Sequence, residues 1–158
     1  HVQHTFEPVF DEHSRILILG SFPSVKSREN QFYYGHPQNR FWKLMAQLLE
    51  VPVPQSIDEK KTMLLTHGLA LWDVITSCDI KGSSDSSIKN AVPADISRIL
   101  KAANIQTIIA NGGTAFRLYR RYCEPVTGRP AALCPSTSPA NAAFSLERLS
   151  ECWSKFII

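Results

Sequence analysis

The sequence predicts a three-layer α/β/α sandwich around a central four-stranded, mainly parallel sheet, with residues 1–158 forming one domain. Three observations carry that expectation. Four short apolar segments recur along the chain, and three of them are nearly continuous in apolar residues, as strands covered on both faces are. Amphipathic helical patterns lie between them, the alternation that parallel strands joined by crossovers require. A chain of 158 residues, 44% hydrophobic and 20% charged, is long and apolar enough to bury one core and excludes a disordered or fibrous protein.

The first strand is 15–20, Arg-Ile-Leu-Ile-Leu-Gly. A helix over 39–50 puts Phe41, Leu44, Met45, Leu48 and Leu49 on one face, and a second follows at 57–67 with Gly68 as its stop. The second strand is 69–75. Beyond a polar loop at 82–87, a helix at 93–103 turns Ile96, Ile99 and Leu100 inward. The third strand, 107–111, leads through Gly112-Gly113 into a helix over 114–122, whose Arg117, Arg120 and Arg121 form a basic surface. The fourth strand is 131–134, and a closing helix over 144–157 carries Leu146, Leu149, Trp153 and Phe156 on its apolar face. No apolar run nears the ~18 residues of a membrane span. The polar N-terminus shows no signal peptide, and the scattered Cys78, Cys123, Cys134 and Cys152 lack metal spacing. They read as free thiols of a cytoplasmic protein with no metal, no cofactor and no membrane partner.

In such sheets ligands sit beyond the carboxyl ends of the strands. The segment after the first strand, 20–43, is far longer than an ordinary connection. It holds Lys26, Arg28, Arg40 and Lys43 against Glu29 alone, a net +3 that equals the charge of the whole chain. Aromatics among those cations suit bases and phosphates. Phe41 and Trp42 open an amphipathic helix and read as core, whereas Tyr33 and Tyr34 stand beside Gly35 in a loop. After the second strand, Asp73 is either a turn residue or a ligand contact. Asn111-Gly112-Gly113-Thr114 is either an anion-binding helix start or tight strand-to-helix packing. The small, hydroxyl-rich 135–141 segment, with Ser136, Thr137, Ser138 and Asn141, suits phosphate contacts and is equally the composition of a plain loop. His36, between Gly35 and Pro37, reads as a turn residue; His1, His4, His13 and His67 have no partners in sequence and read as surface.

These post-strand segments, in this order, resemble the uracil-DNA glycosylase superfamily over residues 15–142. Within it the nearest likenesses are the mismatch-specific uracil/thymine branch and the hypoxanthine-DNA glycosylases. Tyr34-Gly35-His36-Pro37-Gln38-Asn39-Arg40-Phe41-Trp42 resembles the branch motif Phe-Ala-His-Pro-x-Asn-Arg-Phe-Trp, and Pro135-Ser136 resembles the start of the loop that enters the minor groove. Three departures define the likeness further. Phe22, in Gly20-Ser21-Phe22-Pro23-Ser24, stands where the superfamily has a water-activating Asp or Asn. Cys134 replaces the superfamily His, and Ser138-Pro139 replaces its bulky wedge. The hypoxanthine-DNA glycosylases are similar in lacking the first-motif Asp or Asn, and their catalysis is assigned to the Asn of the later motif, which is Asn39 here.

The resemblance therefore implies a monofunctional glycosylase of DNA repair, without a Schiff-base Lys in its motifs, that flips out a deaminated base and hydrolyses its glycosidic bond. Hypoxanthine from deoxyinosine is the expected base. Uracil or a G·U or G·T mismatch, or a catalytically silent nucleic-acid binder kept open by Phe22, are the alternatives. Asn39 is the expected catalytic residue. Phe22, Tyr34, Asp73, Gly20 and Ser21 are expected around the base, with Tyr34 stacking on it and Asp73 accepting from its N1–H. Lys26, Arg28, Arg40, Ser136, Thr137, Ser138 and Asn141 are expected against the backbone of double- or single-stranded DNA. The implied protein is a monomer without a cofactor, since the clustered cysteines of iron–sulfur members are absent.

Overall fold

The computed structural model describes residues 2–4, 6–23, 25–80 and 88–157, the side chains of 25, 26 and 30 excepted. In chain order the elements are β1 (Val2–Gln3), β2 (Ile16–Gly20), α1 (Val25–Asn30), α2 (Phe41–Leu49), α3 (Ile57–Thr66), β3 (Leu69–Asp73), β4 (Ile75–Asp79), β5 (Lys89–Pro93), α4 (Ser97–Ala102), β6 (Thr107–Asn111), α5 (Gly113–Leu118), a π-helical turn at Tyr119–Cys123, α6 (Glu124–Thr127), β7 (Ala132–Cys134) and α7 (Leu146–Trp153).

The four expected strands form one parallel sheet in the order β3-β2-β6-β7. Every residue of β2 and β3 is buried, so both faces of the sheet are covered at these strands, as their nearly continuous apolar runs require. Leu17, Ile18 and Leu19 are wholly inaccessible and meet a core that includes Leu44, Met45, Leu64, Ile99, Ile109 and Leu149. Each such side chain contributes about 1.5–3 kcal/mol through burial. The helix boundaries follow local chemistry. Ser56 caps α3 by accepting from the Glu59 amide (3.1 Å) and donating back to its carboxylate (3.1 Å), and Gly68, at φ 71°, turns the chain out of the helix. Ser145 caps α7 in the same way through Arg148 N–H (3.2 Å).

Four departures from the sequence expectation have physical reasons. The 69–75 strand is two: the Val74 amide donates to Gly20 O (2.8 Å) and the Ile75 amide to Ser21 O (3.1 Å), and β4 then leaves for a second, antiparallel sheet ordered β1-β4-β5. That sheet carried little signal, because β1 is two residues long and β5, Lys-Asn-Ala-Val-Pro, is largely exposed. Pro93 ends β5, so the 93–103 helix starts only at Ser97. The 114–122 helix relaxes into a π turn and runs on through Pro125 to Thr127. The 20–43 connection contains α1. The expected polar loop at 82–87 lies outside the described residues.

The closing helix ties the core to the loop after β7. Trp153 is fully buried, meets Phe41 edge-on at 6.3 Å, and donates its indole N–H to Pro135 O (2.9 Å). Trp153→Ala removes that bond and opens a cavity, so urea denaturation is expected to show a loss of about 3–5 kcal/mol.

Candidate active site

The parallel register sets the site. Gly20 pairs with Asp73 and Asn111 with Cys134, so the last residues of all four strands share one sheet edge. Above that edge a cavity of about 300 Å³ is bounded by the β2–α2 connection on one side and by the 136–140 loop on the other. Gly20, Ser21, Phe22, Tyr34, Asn39 and Asp73, all expected on sequence grounds, line it together.

Asn39 is held by a chain of hydrogen bonds whose direction is fixed from its ends. The Thr137 amide donates to Asn111 Oδ1 (3.0 Å), so Asn111 must present Nδ2–H to the Thr137 hydroxyl (3.1 Å). That hydroxyl then donates its own proton to Asn39 Oδ1 (2.8 Å), which also accepts from the Phe41 amide (3.0 Å). A carbonyl oxygen has two lone pairs, and both are taken. Asn39 therefore offers the cavity its amide N–H donors. Behind it, the Asn39 amide donates to His36 O (2.9 Å) and the Gln38 amide to His36 Nδ1 (3.1 Å), which makes His36 the turn residue its sequence setting suggested.

Asp73 is buried at the opposite wall. Its Oδ2 accepts from His4 Nε2 at 2.9 Å, with the two side chains only 4% and 2% exposed. His4 was expected at the surface. The pairing of β1 with β4 and the bond from the His4 amide to Thr76 O instead carry it inside. His13 is exposed as expected, the His67 ring bonds Met63 O (2.7 Å), and His1 lies outside the described residues. Gly20 is required here because an added Cβ would stand 2.4 Å from Asp73 Oδ1.

The aromatics divide as their surroundings dictate. Phe32, Phe41 and Trp42 are core. Tyr33 joins them, donating to Glu7 O (2.9 Å). Tyr34 reaches the cavity through a left-handed backbone, φ 54°, at a cost of about 1–3 kcal/mol, and stacks on Phe41 at 4.2 Å. Burial first, and the Asp73 carboxylate second, push both phenols well above the ordinary tyrosine range, with the Asn111 amide opposing the rise at Tyr34. Both therefore stay protonated.

Two of the expected DNA-backbone residues do something else. Arg40 sends its guanidinium into the 137–144 loop, donating to Thr137 O (3.3 Å), Ser138 O (2.8 Å), Asn141 O (3.1 Å) and Phe144 O. Four of its five N–H donors go to loop carbonyls, so the guanidinium holds this loop where a phosphate contact was expected. Thr137 is wholly buried in the Asn39 chain and corrects the same expectation. Ser136 and Ser138 shape the loop by accepting from the Ser138 and Ala140 amides (both 3.1 Å), while Asn141 Nδ2 donates to Ser136 O (3.0 Å). Arg28 lies over the Phe22 ring at 5.6 Å; Lys26 sits on α1 with its side chain outside the described residues. Burial pushes the Cys134 thiol up to about 12, aided by Cys152 and opposed by Lys155, so at neutral pH it is uncharged. His4 and Asn111 are site residues the sequence reading missed. For Asn111 a signal existed, an Asn closing a buried strand; for His4 there was none.

The chain matches the uracil DNA glycosylase superfamily over residues 7–157. It is 34% identical over 151 residues to a hypoxanthine DNA glycosylase of Methanosarcina acetivorans, covering 95% of each chain. It is 38% identical over 111 residues to a hypoxanthine DNA glycosylase of Methanosarcina barkeri, covering 68% of this chain and 69% of that one. A Methanosarcina acetivorans protein assigned as a uracil DNA glycosylase and solved by solution NMR superposes with a TM-score of 0.82 at 34% identity, over 96% of this chain and 94% of that one.

Thr137→Val removes the hydroxyl that links Asn111 to Asn39. It is expected to cost about 1–3 kcal/mol in denaturant unfolding, from the unpaired groups it leaves. Gly20→Ala forces the Asp73 carboxylate aside while His4 holds its far oxygen. Base-release assays are expected to show a drop of at least about tenfold, with circular dichroism unchanged.

Proposed function

Since the chain belongs to the uracil DNA glycosylase superfamily, we propose that it is a monofunctional DNA glycosylase that excises deaminated bases, hypoxanthine from deoxyinosine first among them. The observation that carries this reading is Asn39, the Asn of the His-Pro-x-Asn motif, at the wall of a cavity of about 300 Å³ on the carboxyl edge of the sheet. Phe22 occupies the first-motif position, and its side chain has no group that can activate water.

A base inside a duplex is out of reach, so the damaged nucleotide must rotate into the cavity, at a cost of a few kcal/mol. Contact with the aromatic wall formed by Phe22 and Tyr34 returns about 1–3 kcal/mol. Asp73 Oδ1 accepts from the N1–H of the base. As the glycosidic bond lengthens, positive charge gathers on the sugar and negative charge on the departing base. An Asn is too weak a base to take a proton from water. The Asn39 N–H donors act by placement, fixing the incoming water and favouring the charge that leaves with the base; the water oxygen bonds C1′ as the bond to N9 breaks, and the proton it sheds neutralises the departing base anion. These donors are fixed before reaction by Thr137 and the Phe41 amide, so little reorganisation is needed. The loop at 136–141, clamped by Arg40, rests against the strand, while Lys26 and Arg28 neutralise phosphates, so binding weakens with salt. One domain acting as a monomer suffices for these steps.

The test is base release from otherwise identical duplexes carrying deoxyinosine, deoxyuridine or a G·T mismatch, read by alkaline cleavage of the abasic site. Cleavage of the deoxyinosine duplex is expected to be fastest. No cleavage of any, with binding retained, would overturn the reading. Asn39→Ala is expected to slow release about 10²–10³-fold while duplex affinity stays near that of the unaltered protein.

A further inference from the structure

We propose that His4 and the Tyr34 hydroxyl, acting with Asp73, form a device that reads the lactam edge of the flipped base. His4 is a positioning residue: it holds the Asp73 carboxylate so that one oxygen faces the cavity as a pure acceptor. The Tyr34 hydroxyl is the donor beside it. This rests on the base-excision reading above and assigns it a specificity element.

The geometry supplies each part. His4 Nε2 lies 2.9 Å from Asp73 Oδ2, with both side chains almost fully buried. A carboxylate accepts only, so Nε2 carries the proton. The ring has little freedom to turn away. Phe6, Tyr33 and Phe22 surround it, at 4.4, 5.8 and 6.3 Å, and its own amide is bonded to Thr76 O (2.6 Å). With Oδ2 so engaged, Oδ1 is left for the cavity. It lies 2.4 Å from the point that a Cβ on Gly20 would occupy, and the Tyr34 hydroxyl lies 3.2 Å from the same point. An acceptor and a donor therefore converge over the bare Gly20 backbone. The hydroxyl is buried, with the Asn111 amide directed at its oxygen, and among the described residues nothing accepts its proton. Buried polar groups are normally satisfied, so an unused hydroxyl proton on a residue that lines the cavity marks a place for a ligand acceptor.

The matching ligand edge presents an N–H beside a C=O. Hypoxanthine has it at N1 and O6, and every lactam left by deamination has the same pair. Adenine has the reverse, a bare ring nitrogen beside an amino group. Its N1 lone pair would face the carboxylate and its amino group the Tyr34 hydroxyl proton, leaving buried groups unpaired. The pair thus separates hypoxanthine from the adenine it derives from; it does not separate hypoxanthine from guanine.

The experiment is single-turnover base release from a deoxyinosine duplex by the full chain and by His4→Ala, His4→Gln, Tyr34→Phe, Asp73→Asn and the His4→Ala/Asp73→Asn double variant. Duplex affinity and thermal unfolding are measured alongside. His4→Ala is expected to slow release about 10–100-fold with duplex affinity unchanged. His4→Gln, whose amide can donate to the same oxygen, is expected to recover most of that loss. Adding His4→Ala to Asp73→Asn is expected to change little. Tyr34→Phe keeps the aromatic ring and is expected to lose about tenfold. Release by His4→Ala at the unaltered rate, or an equal loss in the Asp73→Asn background, overturns the positioning role. An unaltered rate for Tyr34→Phe overturns the hydroxyl contact. If the unaltered protein releases no hypoxanthine, the function itself fails, and that is seen before any variant is made.

Discussion

Thr137 is completely buried, and its hydroxyl both accepts from Asn111 and donates to Asn39. Much of the site depends on that two-way bond. It crosses from the end of β6 to the turn before α2, segments held apart in sequence, and it decides which end of the Asn39 amide faces the cavity. The backbone amides of Thr137 and Phe41 orient the chain from its two ends, so no side-chain proton is free to reverse it. An amide held in this way presents its donors already aligned, the condition under which fixed dipoles lower a barrier most. Arg40 serves the same end from the other side. Its guanidinium grips four carbonyls of the loop that delivers Thr137, so the cation next to Asn39 in sequence works for the architecture.

The second constraint is electrostatic. A carboxylate buried as deeply as Asp73 needs compensation, and the chain supplies it from behind, through His4, rather than from the cavity. The phenols of Tyr33 and Tyr34 stay protonated beside it, so the wall facing the base carries one acceptor and one donor without further charge. Gly20 is the spatial counterpart: only a residue without a side chain lets the carboxylate lean over the strand end. Pocket shape, charge placement and strand register thus lead to the same few residues.

Much of this was legible in the sequence. Nearly continuous apolar runs marked three of the four parallel strands, and β6 was found at its full bounds, because burial on both faces leaves no room for alternation. The Tyr34–Trp42 motif brought Asn39 and Tyr34 to the cavity, and Asp73 followed from its place at a strand end. The antiparallel β1-β4-β5 sheet was hidden, since a two-residue strand and an exposed edge carry no periodic signal. His4 went with it: its burial depends on that sheet, and nothing around it in sequence announces a partner 69 residues away. Arg40 and Thr137 were misread for a different reason. A cation and a hydroxyl near a DNA site look like phosphate contacts until the loop carbonyls and the Asn39 amide that occupy them are seen.

The account stands most directly on how a damaged base sits. The measurement is a crystal structure of the protein with a duplex carrying a 2′-fluorinated deoxyinosine, which resists hydrolysis. The account expects hypoxanthine turned out of the stack into the cavity, its N1–H on Asp73 Oδ1, its O6 at the Tyr34 hydroxyl, and the Asn39 amide facing the glycosidic bond. A base that stays stacked in the duplex, or that enters with its N1–O6 edge turned away from Asp73, would contradict it.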